Sequence, residues 1–282
     1  MARTSGGSPK ARVVGAELRK AREEAGMGVR ELARRLGTDH SKLSRCEGGQ
    51  TAATPEFVAS VLTALGVPEV ERDRVAAIAR GAERTNWLAP VVPGAHHELT
   101  TLIEFERSAQ RITEVATLVV PGLLQTADYA RAVMAGVPLA ELETRVTLRI
   151  GRRDVLNRRG APQFDVLVME LGLRNVIGGK DVMAEQLRQM QNMAARPNIS
   201  IRVIPDSEEW NPAHAGSYLL FEFSSSAPIV HLEHYSSAAF LHEADDTEAY
   251  HSATDTLRQL ALNEEQSSEL IAEVAEEMEN KE

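Results

Sequence analysis

The sequence predicts an all-α, five-helix N-terminal domain joined to an α+β, or mixed α/β, C-terminal domain. From Val13 to about Ala82, apolar residues recur at helical spacing between short turns that contain Gly or Pro, and no alternating run indicates a strand. Beyond about residue 98, short runs rich in β-branched and aromatic residues interleave with helical segments. The charges divide in the same way, because the N-terminal part is basic and the rest is acidic.

The five N-terminal helices are expected at about 13–25, 29–36, 40–47, 55–65 and 69–84. Gly26 ends the first helix, and Gly37 allows a sharp turn after the second. Asp39 is placed to cap the third helix, and Thr54 takes the same role in front of Pro55.

The spacing of four residues in this segment indicates a helix-turn-helix. Such a motif needs a small residue where the helices cross, a glycine in the turn and two apolar anchors in the second helix. Those places are filled in order by Ala33, Gly37, Leu43 and Cys46. The recognition helix is therefore predicted at about residues 39–47. Cys46 is interpreted as a core residue in preference to a redox switch.

The string MGVRELARRLGTDHSKLSRCEGG resembles the Xre group of helix-turn-helix regulators, whose typical string is LSQEELARRLGVSQSKVSRIEXG. The resemblance implies a sequence-specific transcriptional regulator that binds double-stranded DNA as a homodimer. A cytoplasmic location is expected because the opening residues have no apolar signal region and the single cysteine agrees with a reducing compartment. One departure is Gly28-Val29, which replaces the usual Ser-Gln and puts a phosphate contact in doubt.

The face of the third helix opposite Leu43 and Cys46 supplies the predicted DNA contacts. These are His40, Ser41, Lys42, Ser44 and Arg45. His40 stands where the resembled group often has a base-reading Gln, and it either reads a base or faces solvent. Further candidates for phosphate contacts are Arg30, Arg34 and Gln50.

The net charge of −10 does not prevent DNA binding, because the charges are segregated. Residues 1–53 carry eleven Lys or Arg and six acids, a net charge of +5, whereas residues 54–282 carry 20 basic and 35 acidic residues, a net charge of −15. Exposed charges are screened beyond roughly 8 to 10 Å at cellular salt, so a basic module can hold DNA while an acidic one lies away from it.

The domain boundaries are expected at changes in composition. The predicted parts are a disordered tail (1–9), the helix-turn-helix domain (10–84), a linker (85–97) and an effector or interaction domain (98–282). Strands are predicted at 116–120, 164–171, 199–205, 217–223 and 229–234. Helices are predicted at about 97–112, 124–135, 139–157, 180–196, 246–262 and 265–280.

The second half also resembles a known domain of unknown function that follows the DNA-binding module in many actinomycete Xre regulators. The resemblance rests on Glu106, Ala109 and VVPGLLQTADYARAVM from Val119 to Met134. It implies either a domain for dimerisation and for sensing a ligand or partner, or an antitoxin-like protein that binds a small neighbouring-gene protein and autoregulates through its DNA-binding domain.

A ligand or partner site in this domain is a weaker hypothesis. Gln125 and Tyr129 lie at or near a helix start after Pro121-Gly122, where an anion could bind or the chain could simply turn. Trp210 and His214 lie in a polar loop and either line a binding surface or pack onto the sheet.

Enzymatic, metal-dependent and membrane functions find no support in the residues. No phosphate-binding Gly-rich loop, dinucleotide motif or nucleophile elbow appears, so neither catalytic residues nor a cofactor are predicted. His231 and His234 point to opposite faces of a predicted strand and cannot share a metal ion. The chain also lacks the roughly 18 to 20 uninterrupted apolar residues of a membrane helix.

Overall fold

A computed structural model describes residues 9–80, 87–90, 97–206, 209–234 and 237–280. The chain forms two compact units, which we call unit 1 and unit 2. Unit 1 contains residues 1–108, 222–229 and 234–244, and unit 2 contains residues 109–221, 230–233 and 245–282. Nearly all of the predicted tail and most of the predicted linker lie outside the described residues. Within the described residues, no helix is long and apolar enough to cross a membrane.

Five helices open unit 1, as the sequence predicts. They are α1 (Pro9–Glu24), α2 (Val29–Arg35), α3 (His40–Glu47), α4 (Pro55–Ala64) and α5 (Glu69–Arg80). Gly26 and Gly37 adopt φ angles of +63° and +62°, which explains why glycine follows α1 and α2. The Thr54 hydroxyl accepts the Phe57 N–H at 3.2 Å and caps α4.

One apolar core holds the five helices together. Leu18 of α1, Leu32 of α2, Leu43 of α3 and Val58 of α4 are all fully buried, and Val75 of α5 is 1% exposed. Each residue comes from the inward face of its helix, so the helical spacing in the sequence becomes a single shared core.

Glu47 at the end of α3 is joined to α1 by a buried ion pair. The Arg22 guanidinium grips its carboxylate with two bonds, Nε to Oε1 at 2.8 Å and Nη2 to Oε2 at 2.9 Å. Arg19 Nη2 also donates to the Glu47 carbonyl at 2.7 Å. A Cβ atom on Gly15 would lie only 2.3 Å from the Cys46 carbonyl oxygen, so α1 approaches α3 too closely for a side chain there.

Later parts of the chain complete unit 1. Helix α6 (His97–Ser108) belongs to it, as does an antiparallel pair formed by β1 (Trp87–Pro90) and β7 (Ser237–Leu241). The Arg12 guanidinium of α1 stacks on the Phe105 ring at 5.0 Å and on the Phe223 ring at 3.8 Å. Burial lowers the pKa of Arg12 to about 10. Segments far apart in the sequence therefore pack around α1.

Unit 2 combines a sheet with helices. Strands β2 (Arg111–Ala116), β3 (Gln163–Met169) and β4 (Ile199–Ile204) are parallel, and β5 (Tyr218–Glu222) and β6 (Ile229–His234) continue the order β6-β5-β2-β3-β4. The helices are α7 (Ala127–Val133), α8 (Leu139–Arg152), α9 (Glu170–Arg174), α10 (Lys180–Ala194), α11 (Ala244–Leu260) and α12 (Glu264–Glu279). With the antiparallel pair of β1 and β7, the strand directions are mixed. An α+β C-terminal domain is thus confirmed.

One predicted strand is wrong. The strand expected at 116–120 instead spans Arg111–Ala116, where it pairs with β3 in the register Ala116↔Val168. Beyond Ala116 its partner soon ends, because α9 begins at Glu170. The apolar side chains of Leu118 and Val119, which suggested a strand, are 53% and 37% exposed in a bend. The expected helix at 97–112 correspondingly ends at Ser108.

Replacement of Glu47 by Ala should destabilise unit 1 by about 3 kcal/mol, because it leaves the Arg22 guanidinium buried without its carboxylate. The Glu47 and Arg22 side chains are only 4% and 12% exposed. Urea unfolding followed by circular dichroism measures the loss. Glu24→Ala is the matched control, since the Glu24 side chain is 68% exposed and lies 3.9 Å from Lys20. Equal midpoints for the two variants would contradict the assigned role of the pair.

Candidate nucleic-acid interface

Helix α3 presents a polar face to solvent and an apolar face to the core. Leu43 is fully buried and Cys46 is 2% exposed, as predicted for the two anchors. The side chains of His40, Lys42, Ser44 and Arg45 are exposed, and Ser41 is half-buried. The structure therefore places the five candidate residues on one short helix whose other face is anchored.

The start of α3 is fixed by Asp39. Its carboxylate accepts the Ser41 N–H at 2.6 Å, and this hydrogen bond holds the pKa of Asp39 below its usual value. The Asp39 carboxylate is also 3.6 Å from the His40 ring. The cap orders the first turn of the helix, from which His40 and Ser41 project.

Lys42 precedes Arg45 and Gln50 follows it in the sequence, and each has a defined contact. The Lys42 ammonium lies over the Phe57 ring of α4, 4.7 Å from its centre, which orients the long side chain by a cation–π contact. The Gln50 N–H donates to the Arg45 carbonyl at 2.9 Å, so Gln50 continues directly from the end of α3. The side chains of Lys42, Arg45 and Gln50 are all exposed.

Helix α2 supplies the other candidates for phosphate contact. Arg30 and Arg34 are exposed along it. Gly28 precedes the helix and makes no side-chain cap, in agreement with the absence of the Ser-Gln pair at that position. The exposed faces of α2 and α3 therefore combine guanidinium, ammonium and imidazole groups that suit a negatively charged backbone.

The four candidates for a ligand or partner site in the C-terminal domain are only partly brought together. Gln125 and Tyr129 are buried around Val120, where the Gln125 amide donates to its carbonyl at 2.7 Å and the Tyr129 hydroxyl accepts its N–H at 3.2 Å. These bonds hold the turn after β2. Trp210 is 75% exposed, and the His214 ring accepts the Asn211 N–H within its own loop. Within the described residues, no hydrogen bond, ion pair or ring contact joins Trp210 or His214 to Gln125 or Tyr129.

Sequence reasoning missed Glu47 as a determinant of this surface. It is 4% exposed, although charged residues are usually solvated. The signal was its position in the last turn of α3 beside the anchor Cys46, on a face that otherwise carries apolar side chains. Of the part of the chain that the structure describes, no group of His, Cys, Asp and Glu could hold a metal ion.

Two known families match the chain. Residues 13–75, which run from α1 into α5, match the family described as "Helix-turn-helix domain", and residues 99–273 match "Domain of unknown function (DUF5753)". The second match covers more than half of the sequence.

The chain belongs to the DUF5753 family. No curated protein matches it. In this DUF5753 protein, the helix-turn-helix match includes all of α2, α3 and α4 and hence every side chain of the candidate nucleic-acid interface. A helix-turn-helix domain supports a DNA-binding role, because its second helix typically enters the major groove.

Cys46 should react slowly with a thiol reagent in the folded DUF5753 protein. Its side chain is buried, and burial raises the pKa of the thiol, whereas the thiolate is the reactive form. We expect labelling at neutral pH to be at least about tenfold slower than in denaturant. Because Cys46 is the single cysteine, every label reports this site. Equal rates would favour the redox-switch interpretation.

Proposed function

We propose that this protein is a sequence-specific, double-stranded DNA-binding transcription regulator of the Xre type whose reading element is α3. The observation that carries the proposal is the placement of His40, Ser41, Lys42, Ser44 and Arg45 on one capped and anchored helix. The family match of residues 13–75 supports it.

The chemistry of the α3 side chains divides the proposed contacts into two kinds. His40 and Ser41, in the first turn, face base edges, since the N-terminal residues of a recognition helix enter the groove first. Arg45 lies about a turn further along and pairs with guanine or with phosphate. Lys42, with Arg30, Arg34 and Gln50 at the sides, holds the backbone and sets the register without reading sequence.

Substitutions on α3 should separate base reading from phosphate binding. His40→Ala and Ser41→Ala should change sequence preference with a modest loss of affinity. Lys42→Ala and Arg45→Ala should each weaken operator binding at least about tenfold, because each removes a charge-assisted contact. An operator selected from genomic fragments, titrated at several salt concentrations, provides the measurement.

Arg80→Ala is the matched control for these variants, because Arg80 is an exposed arginine on α5 of the same unit. It should bind the operator like the parent. Circular dichroism establishes that each variant is folded. If all four α3 variants were folded and bound like Arg80→Ala, α3 would not be the reading element.

A homodimer is part of the proposal. One recognition helix reads only a few base pairs, and two half-sites about one helical turn apart give a regulator of this build its affinity. Light scattering of the full chain, alone and with operator, should give twice the monomer mass of 30.8 kDa for the protein component. A monomer in both samples would contradict the palindromic arrangement.

The C-terminal domain is proposed to sense a ligand or partner. Unit 2 contains 25 acidic and 15 basic residues, a net charge of −10, which disfavours general affinity for DNA and suits a separate role. An antitoxin-type role, in which a small basic protein binds this domain, would use the same negative charge.

A further inference from the structure

The acidic unit 2 contains one strongly basic segment. Residues 145–159 hold six arginines and a single acid, Asp154, for a net charge of +5. The rest of unit 2 holds nine basic and 24 acidic residues, a net charge of −15. Within this unit, the positive charge is therefore concentrated where α8 ends and the chain turns toward β3.

Arg153 in this segment is oriented by neutral oxygens. Its Nε donates to the Leu123 carbonyl at 3.3 Å, and its Nη2 donates to the Gln125 carbonyl. These carbonyls belong to the turn between β2 and α7, so the Arg153 side chain bonds outside its own helix. A carbonyl fixes the guanidinium without cancelling its charge, as a carboxylate would.

Arg196 lies two residues after the end of α10 and contacts the basic segment 145–159. Its Nη1 donates to the Asn157 side-chain oxygen, which is again neutral. Burial lowers the pKa of Arg153, the positive charge of Arg196 lowers it further, and the negative charge of Asp154 partly opposes both. Within the described residues, neither Arg153 nor Arg196 forms an ion pair with a carboxylate. Arg196 thus bonds the residue that ends the one-turn 3-10 helix beginning at Arg153.

Arg159 is a third cation of the same segment, two positions after Asn157. It lies in a tight turn that the Ala161 N–H closes by donating to the Arg158 carbonyl at 3.1 Å, and Gly160 has the positive φ of +73° that this turn requires. The Arg159 side chain is exposed. Arg159 therefore follows, by two positions, the residue that Arg196 contacts.

Other arginines of unit 2 show the contrast. Arg188 lies on α10, the helix that precedes Arg196. It pairs with Glu279 at 3.1 Å. Arg174 pairs with Glu170 and Glu277, each at 2.7 Å. Carboxylates therefore neutralise the arginines at these places, whereas the hydrogen bonds of Arg153 and Arg196 go to neutral acceptors.

We propose that Arg153, Arg159 and Arg196 form a binding site for a phosphate group. A phosphate dianion has several acceptor oxygens, which match the paired donors of guanidinium groups, and its charge compensates the cluster. The site gives a chemical class, a phosphorylated compound, to the ligand proposed for the C-terminal domain. A phosphate of bound DNA shares this chemistry and is the other source.

Titration of the full chain with inorganic pyrophosphate at constant ionic strength tests whether the site binds a soluble phosphorylated compound. The parent should bind, and Arg159→Ala and Arg196→Ala should each bind about tenfold more weakly, because each loses a charge-assisted contact. Arg196→Lys keeps the charge and should lose less. Arg188→Ala is the matched control and should bind like the parent, since Glu279 already neutralises Arg188. Arg153 is not substituted, because it also donates to the backbone carbonyls of Leu123 and Gln125 and its loss would disturb that turn.

Titration with a DNA duplex at several salt concentrations tests the other source. If the cluster holds a DNA phosphate, Arg159→Ala and Arg196→Ala should each lower the salt slope by about one, whereas Arg188→Ala should not. If neither Arg159→Ala nor Arg196→Ala weakens pyrophosphate binding, and the salt slopes of all three variants agree with that of the parent, the proposal is overturned. The pyrophosphate titration needs no DNA. It therefore tests the phosphate site even if the proposed DNA-binding function is wrong.

Discussion

The pair of Glu47 and Arg22 is the constraint on which the polar face of α3 depends. Removing two charges from water is costly, and two short bonds offset that cost only when the groups hold one geometry. The same geometry fixes the distance between α1 and α3, which in turn requires glycine at position 15. Side chains that face solvent on α3 are therefore positioned by groups on its opposite side.

The sequence alone predicts the local part of this arrangement. Helix α3 was expected at 40–47 and lies at His40–Glu47, because its cap, its turn glycine and its apolar spacing agree. The strand at Arg111–Ala116 was missed because its end depends on pairing with β3, which no local pattern records. The ion pair was missed for the same reason, since Arg22 and Glu47 are 25 positions apart and meet only when α1 packs on α3.

The two halves of the chain use polar residues differently. On α3 they are exposed and the backbone is satisfied by the helix and the Asp39 cap. In the segment after β2, Gln125 and Tyr129 are buried and satisfy the backbone of Val120, so a distinctive sequence motif there serves to fix a turn. A motif can therefore be highly specific in sequence and still have an architectural role.

The order of the segments of unit 1 along the chain determines when each becomes available during synthesis. Its five-helix bundle ends at Arg80, but Phe223, which covers the Arg12 guanidinium, follows more than a hundred residues later. At ~5–20 residues per second, the ribosome releases the bundle roughly ten seconds before that partner. During this interval the guanidinium is solvated on the Phe223 side. The last surface of unit 1 can therefore close only after residue 223 has been made.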